Sequence, residues 1–231
     1  MVKYKKYFQK ETKIENALLN YSDFTEDELE EARLAFAADS KFCISVVAND
    51  GFPNHKRKEV AFAGRSNVGK SSLINSITNV SGLARVSNTP GRTQMINFFS
   101  QGEEFFITDL PGFGYAKASK ELIKQWGQLT KDYLLGRKEL ETVFFLIDSR
   151  HGIKEIDENI MKILDESAVS YQIILTKFDK VRKNEVDDLF ISTYEKIRRR
   201  PAARPKFLAT SSKDKFGIDL LRCLIYRIVK H

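Results

Sequence analysis

Residues 64–72 read GRSNVGKSS, and this stretch decides the fold. It fits G-x-x-x-x-G-K-[ST] with Gly64, Gly69, Lys70 and Ser71 in place. EVAFA (59–63) is an apolar strand leading in, and SSLINSI (71–77) has the pattern of a helix leading out, which is the context such a loop requires. The physics is phosphate capture. Glycines let successive backbone N–H groups turn inward on phosphate oxygens, and the helix start adds partial positive charge. Gly64, Arg65, Ser66, Asn67, Val68, Gly69, Lys70 and Ser71 are therefore expected to wrap nucleotide phosphates. Lys70 would reach the β- and γ-phosphates, and the Ser71 hydroxyl would ligate Mg²⁺. The loop implies a nucleoside triphosphate. It leaves open which base, and whether the chain is a motor, a kinase or a switch.

Working outward, strand-like runs alternate with helix-like runs for most of the length. The strands are expected at 42–48, 59–64, 95–100, 104–110, 142–148, 171–177 and 206–211. The helices are expected at 70–78, 119–136, 155–166, 184–200 and 217–230. Near-continuous apolar strands alternating with helices predict an α/β fold: a mostly parallel sheet with helices on both faces, in three layers. QGEE (101–104) is turn-like and joins 95–100 to 104–110 as a hairpin, giving one antiparallel edge strand. Residues 1–40 read as an extension with one helix over 26–39, ahead of a main domain at 41–231.

The run FFITDL ends on DLPG, 109–112. In P-loop proteins the second core strand carries an aspartate toward the metal, so Asp109 is the expected support for Mg²⁺. Gly112 then brings its backbone N–H to the γ-phosphate, where a side chain would clash. The glycines also let the loop differ between triphosphate and diphosphate states. Asp109, Leu110, Pro111 and Gly112 join the expected nucleotide site.

TKFD (176–179) follows the strand YQIIL and resembles the guanine-reading N/T-K-x-D element of GTPases. The Asp179 carboxylate can accept hydrogen bonds from guanine N1–H and the 2-amino group. Adenine lacks both donors and would leave Asp179 buried and unpaired. The Lys177 stem can lie over the base, and Thr176 can hold neighbouring loops by its hydroxyl. Thr176, Lys177, Phe178 and Asp179 are the expected base site. ATSSKD (209–214) is a softer signal: Thr210, Ser211 and Ser212 would read guanine O6 through backbone N–H groups, or form a plain Ser-rich turn.

The bulk numbers narrow the class. The chain has 231 residues, 42% hydrophobic and 30% charged, the composition of a soluble globular protein. No apolar run approaches a membrane span. The basic start MVKYKKYFQKETKIENALL lacks an apolar signal core. Two cysteines, Cys43 and Cys223, suggest no disulfide framework and fit a reducing cytosol. The net charge of +7 permits an anionic partner without demanding one.

Between the P-loop and DLPG lies ARVSNTPGRTQMINFF, 84–99. A mobile segment here should carry a threonine that caps Mg²⁺, and the candidates are Thr89 and Thr93. GRSNVGKSSLIN, SNTPGRTQ, DLPGFGYAK, LIDSRHG and LTKFDK, in this order, resemble the EngB (YihA/YsxC) family of bacterial GTPases over roughly residues 58–231. SNTPGRTQ and DLPGxGYAK are the most specific of these. The resemblance implies a Ras-like P-loop GTPase fold and Thr93 as the switch threonine on Mg²⁺. It places Gly91, Arg92, Thr93, Gln94 and Met95 against the nucleotide. Ser71, Thr93 and Asp109 are then the metal set, and Lys70, Thr93 and Gly112 the residues nearest the chemistry. It also implies GTP and GDP as ligands, a cytoplasmic monomer, a role in assembling the large ribosomal subunit, and a link to cell division and septation. Many members have Tyr where this chain has Phe113.

Small switch GTPases often carry a glutamine after D-x-x-G to orient the attacking water. Phe113 cannot hydrogen-bond water, so intrinsic hydrolysis is expected to be slow. Asn67 sits where some related GTPases bind K⁺, making K⁺ a candidate further cation. Phe113 and Tyr115 either form a surface for a partner or pack on the adjacent helix. IRRRPAARPK (197–206) either contacts rRNA or is a solvated helix end. His151 reads as a loop residue, and Trp126 as part of a core helix face. Two other functions stay open: a division-site regulatory GTPase without ribosome contact, and an ATP-using P-loop enzyme.

Overall fold

The computed structural model describes residues 15–84, 95–113 and 127–231. Its centre is a seven-stranded sheet in the order β1-β3-β4-β2-β5-β6-β7. The strands are β1 (Ser40–Val46), β2 (Glu59–Gly64), β3 (Ile96–Gln101), β4 (Phe105–Asp109), β5 (Leu140–Asp148), β6 (Tyr171–Thr176) and β7 (Leu208–Ala209). Between and around them lie helices α1 (Glu26–Ala35), α2 (Lys70–Thr78), α3 (Gly127–Gly136), α4 (Glu155–Glu166), α5 (Val186–Ile197) and α6 (Ile218–Lys230).

The parallel core is β4-β2-β5-β6-β7. All residues of β2, β4 and β6 are buried. Successive side chains of a strand point to opposite faces, so a fully buried strand means that both faces are covered. The expected hairpin forms across Gln101–Glu104, with Gly102 at φ +50 and the Glu104 N–H donating to the Gln101 carbonyl. It makes β3 antiparallel to β4. Outside β3 the chain adds β1, also antiparallel to β3, so the outermost strand on that side is β1. Its residues 41–44 are exposed.

Helix α1 starts where Thr25 caps it: the Thr25 hydroxyl accepts from Glu28 N–H and the Glu28 carboxylate accepts from Thr25 N–H, a reciprocal capping box. It stops at Ala35, short of the expected 39. The buried Gln101 side chain of β3 donates to the Ala35 and Ala38 carbonyls, and so satisfies groups that a continued helix would have bonded itself. Residues 15–36 do not stand off from the rest. Ala17, Leu18, Leu19, Phe24, Ala32 and Phe36 join the common core. Leu18 bridges Phe207 beside β7. Arg227 of α6 donates to Glu28 and lies 4.0 Å over the Phe24 ring. The expected helix at 119–136 is described over 127–136; its first part, with Trp126, lies outside the described residues. Cys223 is buried in α6, as expected for a core thiol, and burial raises its pKa to about 11.

Candidate functional site

The parallel strands β2, β4, β5 and β6 end at the same edge of the sheet, where open α/β sheets place their ligands. Strand β2 delivers Gly64, and α2 begins at Lys70. Between them the chain takes two left-handed turns, at Asn67 (φ +63) and Gly69 (φ +103). Gly64 has no room for a side chain: a Cβ there would sit 2.9 Å from Val68 Cγ1 and 3.0 Å from the Leu146 carbonyl. The Val68 side chain is core, 2% exposed, so only its backbone faces the loop's concavity.

Strand β4 brings Asp109 beside this loop. The Lys70 ammonium rests directly on the Asp109 carboxylate. Leu110 is buried and its N–H donates to the Phe62 carbonyl, which ties the strand tip to β2. The next residues fasten to the P-loop itself: Ser66 N–H donates to the Phe113 carbonyl at 2.9 Å, and Phe113 N–H to the Gly64 carbonyl at 3.3 Å. Gly112 lies against Ser66, where an added Cβ would meet Ser66 Oγ at 3.0 Å and Ser66 Cα at 3.2 Å. The Phe113 ring is 3% exposed and stacks on Phe145 at 5.8 Å. The ring packs inward, but on strand β5 and not on the adjacent helix as one of its two readings had it; Tyr115 lies outside the described residues.

Strand β6 ends in Thr176. Its hydroxyl donates to the Val68 carbonyl at 2.7 Å and the Ile147 carbonyl at 3.2 Å, so it staples the base element to the P-loop. Lys177 takes a left-handed conformation, φ +55. Its Nζ donates to the Asn67 carbonyl at 2.5 Å. Phe178 is core, stacked between Phe190 and Phe216. The Asp179 carboxylate accepts from the Ser211 hydroxyl at 2.8 Å. Thr210 N–H donates to the Leu175 carbonyl at 2.7 Å, and Phe178 N–H to the Thr210 carbonyl at 3.0 Å. The last loop is thereby laced to β6, with Ser212 half-buried. Met95 is 39% exposed just before β3. Thr89, Gly91, Arg92, Thr93 and Gln94 lie outside the described residues.

The structure thus brings the three described motifs, GRSNVGKSS, DLPG and TKFD, to one edge. It also shows neighbours that motif reading passed over. Asp148, the last residue of β5, lies 3.0 Å from Lys177 Nζ and accepts from Arg150 at 2.7 and 2.9 Å. Burial alone would raise its pKa, but the hydrogen bonds from Arg150 and Lys177 outweigh it and hold the carboxyl at about 2. The signal was present: TVFFLID ends a buried strand on a carboxylate, as FFITD does. Behind the P-loop, Arg65 Nε is 3.2 Å from the buried Asp157, whose pKa burial pushes up to about 6.

The basic run 197–206 is mostly engaged within the chain. Arg198 pairs with Glu195, Arg200 with Asp165 and Glu158, and Lys206 with Asp23, while Arg204 donates to Thr142. His151 is exposed in its loop. Among the described residues no helix is long and apolar enough to cross a membrane.

The chemistry of this edge suits a nucleotide. Ser71 and Asp109 are hard oxygen donors of the type Mg²⁺ takes, with phosphates and water supplying the other positions.

Comparison with known proteins agrees. Residues 59–177 match a family model described as "50S ribosome-binding GTPase". The protein named "Probable GTP-binding protein EngB" of Roseobacter denitrificans is 51% identical over 197 residues, covering 85% of this chain and 91% of that one. The protein of the same name from Ruegeria pomeroyi is 52% identical over 196 residues, covering 85% and 90%. A solved structure of a probable GTP-binding protein EngB superposes with a TM-score of 0.53 at 24% identity, over 74% of this chain and 98% of that one; this likeness speaks for the fold. With the three motifs at one sheet edge and relatives at this identity, the chain belongs to the EngB family of GTP-binding proteins and is a P-loop GTPase.

Proposed function

We propose that this GTPase is a nucleotide-dependent switch in the assembly of the large ribosomal subunit, acting in the cytoplasm as a monomer, with normal division and septation depending on it. One observation carries the switch: the DLPGF segment is hydrogen-bonded directly to the P-loop through Ser66, Gly64 and Phe113. A change in the phosphates held by one is therefore felt by the other. The ribosomal part is supported by the description of the matching family model. Within this proposal, residues 41–231 are the GTPase unit and 1–40 an extension, whose helix α1 is fastened to the C-terminal helix through Glu28 and Arg227.

In this reading backbone amides of the P-loop, residues 64–71, hold the phosphates, apart from those of Ser66 and Val68, whose N–H groups donate to the Phe113 and Arg65 carbonyls. Lys70, now on Asp109, transfers its charge to the β- and γ-oxygens. Ser71 and Asp109, with Thr93, hold Mg²⁺, which when bound neutralises phosphate charge. Gly112 N–H reports the γ-phosphate. Thr176, Lys177 and Asp179 fix and select guanine, with Phe178 anchoring their loop; the Thr210 and Ser211 N–H groups, expected to read O6, are bonded to the Leu175 and Phe216 carbonyls and hold the last loop in place, so reading O6 falls to the Ser212 N–H. Gly91, Arg92, Gln94 and Met95 complete the site. Phe113 packs on Phe145 and offers water no hydrogen-bonding side chain, so intrinsic hydrolysis is slow and a partner or cation must position the water. K⁺ near Asn67 is one such cation; equal hydrolysis rates in K⁺ and Na⁺ would exclude it. Because most cations of 197–206 are already paired with this chain's own groups, the proposal places no rRNA contact there.

The test is sedimentation with purified large subunits in the presence of GDP, of a non-hydrolysable GTP analogue, and without nucleotide. Co-sedimentation mainly with the analogue is expected. Association in no state would remove the ribosomal role.

A further inference from the structure

We propose that Asp148 is a positioning residue for guanine-nucleotide binding: it holds the Lys177 ammonium so that the lysine stem lies along the P-loop beside the base. This rests on the assignment of Lys177 to the base site above. Asp148 and Thr176 are cross-strand partners at the ends of β5 and β6, so the carboxylate emerges between the P-loop strand and the strand that delivers Lys177. It is 4% exposed. Arg150 fixes its orientation with three donors: backbone N–H to Oδ1 at 3.1 Å, Nε to Oδ1 at 2.9 Å and Nη2 to Oδ2 at 2.7 Å. An Asp148 so held can direct what its remaining lone pairs face, and Lys177 Nζ lies 3.0 Å from Oδ2.

Two further observations show that Lys177 is held and not merely placed. Its backbone is left-handed, φ +55, a conformation that costs a non-glycine residue energy and persists only when its surroundings impose it. Its stem crosses the P-loop glycine: a Cβ built on Gly69 would lie 3.5 Å from Lys177 Cε. The ammonium therefore reaches back over the loop to a neutral carbonyl, that of Asn67, and one carboxylate, that of Asp148. A lysine loses considerable rotamer freedom on being fixed. The charged acceptor is the stronger of the two restraints.

The proposal is tested by a double-mutant cycle on the full chain with Mg²⁺, reading the release rate of a fluorescent GDP. Asp148→Asn and Lys177→Met should each speed release about ten-fold or more, the loss of a charge-assisted hydrogen bond. The double variant should release no faster than Lys177→Met alone, because Asp148 acts through the ammonium. Arg150→Ala, which leaves the Asp148–Lys177 contact, should change release less than Asp148→Asn. Multiplying effects in the double variant, or an Arg150→Ala effect equal to that of Asp148→Asn, would overturn the proposal and leave Asp148 as a loop anchor. If Lys177→Met has no effect, the base-site assignment of Lys177 falls, and this inference with it. Should Asp148→Asn not fold, Asp148→Glu runs the same cycle: it keeps the charge, displaces the acceptor by one methylene, and should again have no effect once Lys177 is methionine.

Discussion

Gly112→Ala tests whether the DLPG loop senses the third phosphate. An added Cβ would sit 3.0 Å from Ser66 Oγ, 3.2 Å from Ser66 Cα and 3.3 Å from Ser66 N. The hydroxyl can rotate away. The Cα and N cannot, because Ser66 N–H is bonded to the Phe113 carbonyl one residue further on. The loop must therefore lift by a few tenths of an ångström, which displaces Gly112 N–H from the γ-phosphate. A hydrogen bond to a charged group contributes about 1.5–3 kcal/mol, so a non-hydrolysable GTP analogue should bind about 10- to 100-fold more weakly. GDP has no γ-phosphate and should bind within about three-fold of the parent. The assay is displacement of a fluorescent GDP by each nucleotide at constant Mg²⁺. Equal losses for both nucleotides, or no loss for the analogue, would refute the reasoning: Gly112 would then be needed only for packing on Ser66.

Asp179→Asn exchanges an acceptor-only carboxylate for an amide and should move preference from guanine toward xanthine nucleotides, read as the ratio of the two dissociation constants; ADP competing as well as GDP with the parent protein would sink the guanine assignment. At the opposite end of β2, the fully buried Glu59 accepts from Tyr133 Oη at 2.8 Å and from Arg137 at 2.5 and 2.8 Å. Glu59→Ala takes the buried carboxylate from that guanidinium, leaving it the Pro53 carbonyl and Glu139 at 3.4 Å, and should cost up to about 3–5 kcal/mol in denaturant unfolding while leaving the nucleotide affinity of the folded fraction unchanged; a loss below about 1 kcal/mol would contradict the burial argument. Asp157 gives a pH signature. Burial raises its pKa from the ordinary 3.8 to about 6, so between those values the folded chain binds the proton more tightly than the unfolded one, and stability falls as pH rises from about 4 to about 6, by up to about 3 kcal/mol. Asp157→Asn should flatten that slope, and an unchanged slope in the variant would assign it to other groups.

The sequence carried more of the site than of its support. The P-loop was legible because phosphate capture dictates glycines, a lysine and a hydroxyl at fixed spacing next to a strand and a helix, and all of that is local. DLPG and TKFD were legible for the same reason. Each ends an apolar strand, and parallel strands followed by helices bring such ends to one edge. Helix α1 was legible as a helix from 26 onward, but its end was not, because Gln101 on β3, distant in sequence, satisfies the Ala35 carbonyl.

Charge pairing is what sequence reading could not supply. The run 197–206 could be an rRNA contact or a solvated helix end until Glu195 was seen beside Arg198, Asp165 and Glu158 beside Arg200, and Asp23 beside Lys206. Asp148 read as one letter of a motif until β5 and β6 set it against Lys177. Phe113 could face solvent or core, and its stacking on Phe145 decided it. By itself the sequence determined the fold class and the GTPase family and proposed which residues meet the nucleotide, because backbone geometry and ligand chemistry act within a few residues. The tertiary structure alone decided which charges are spent within the chain and which face outward, since a side chain's electrostatic partner is set by proximity in space, and here the partners come from strands and helices far apart in the chain.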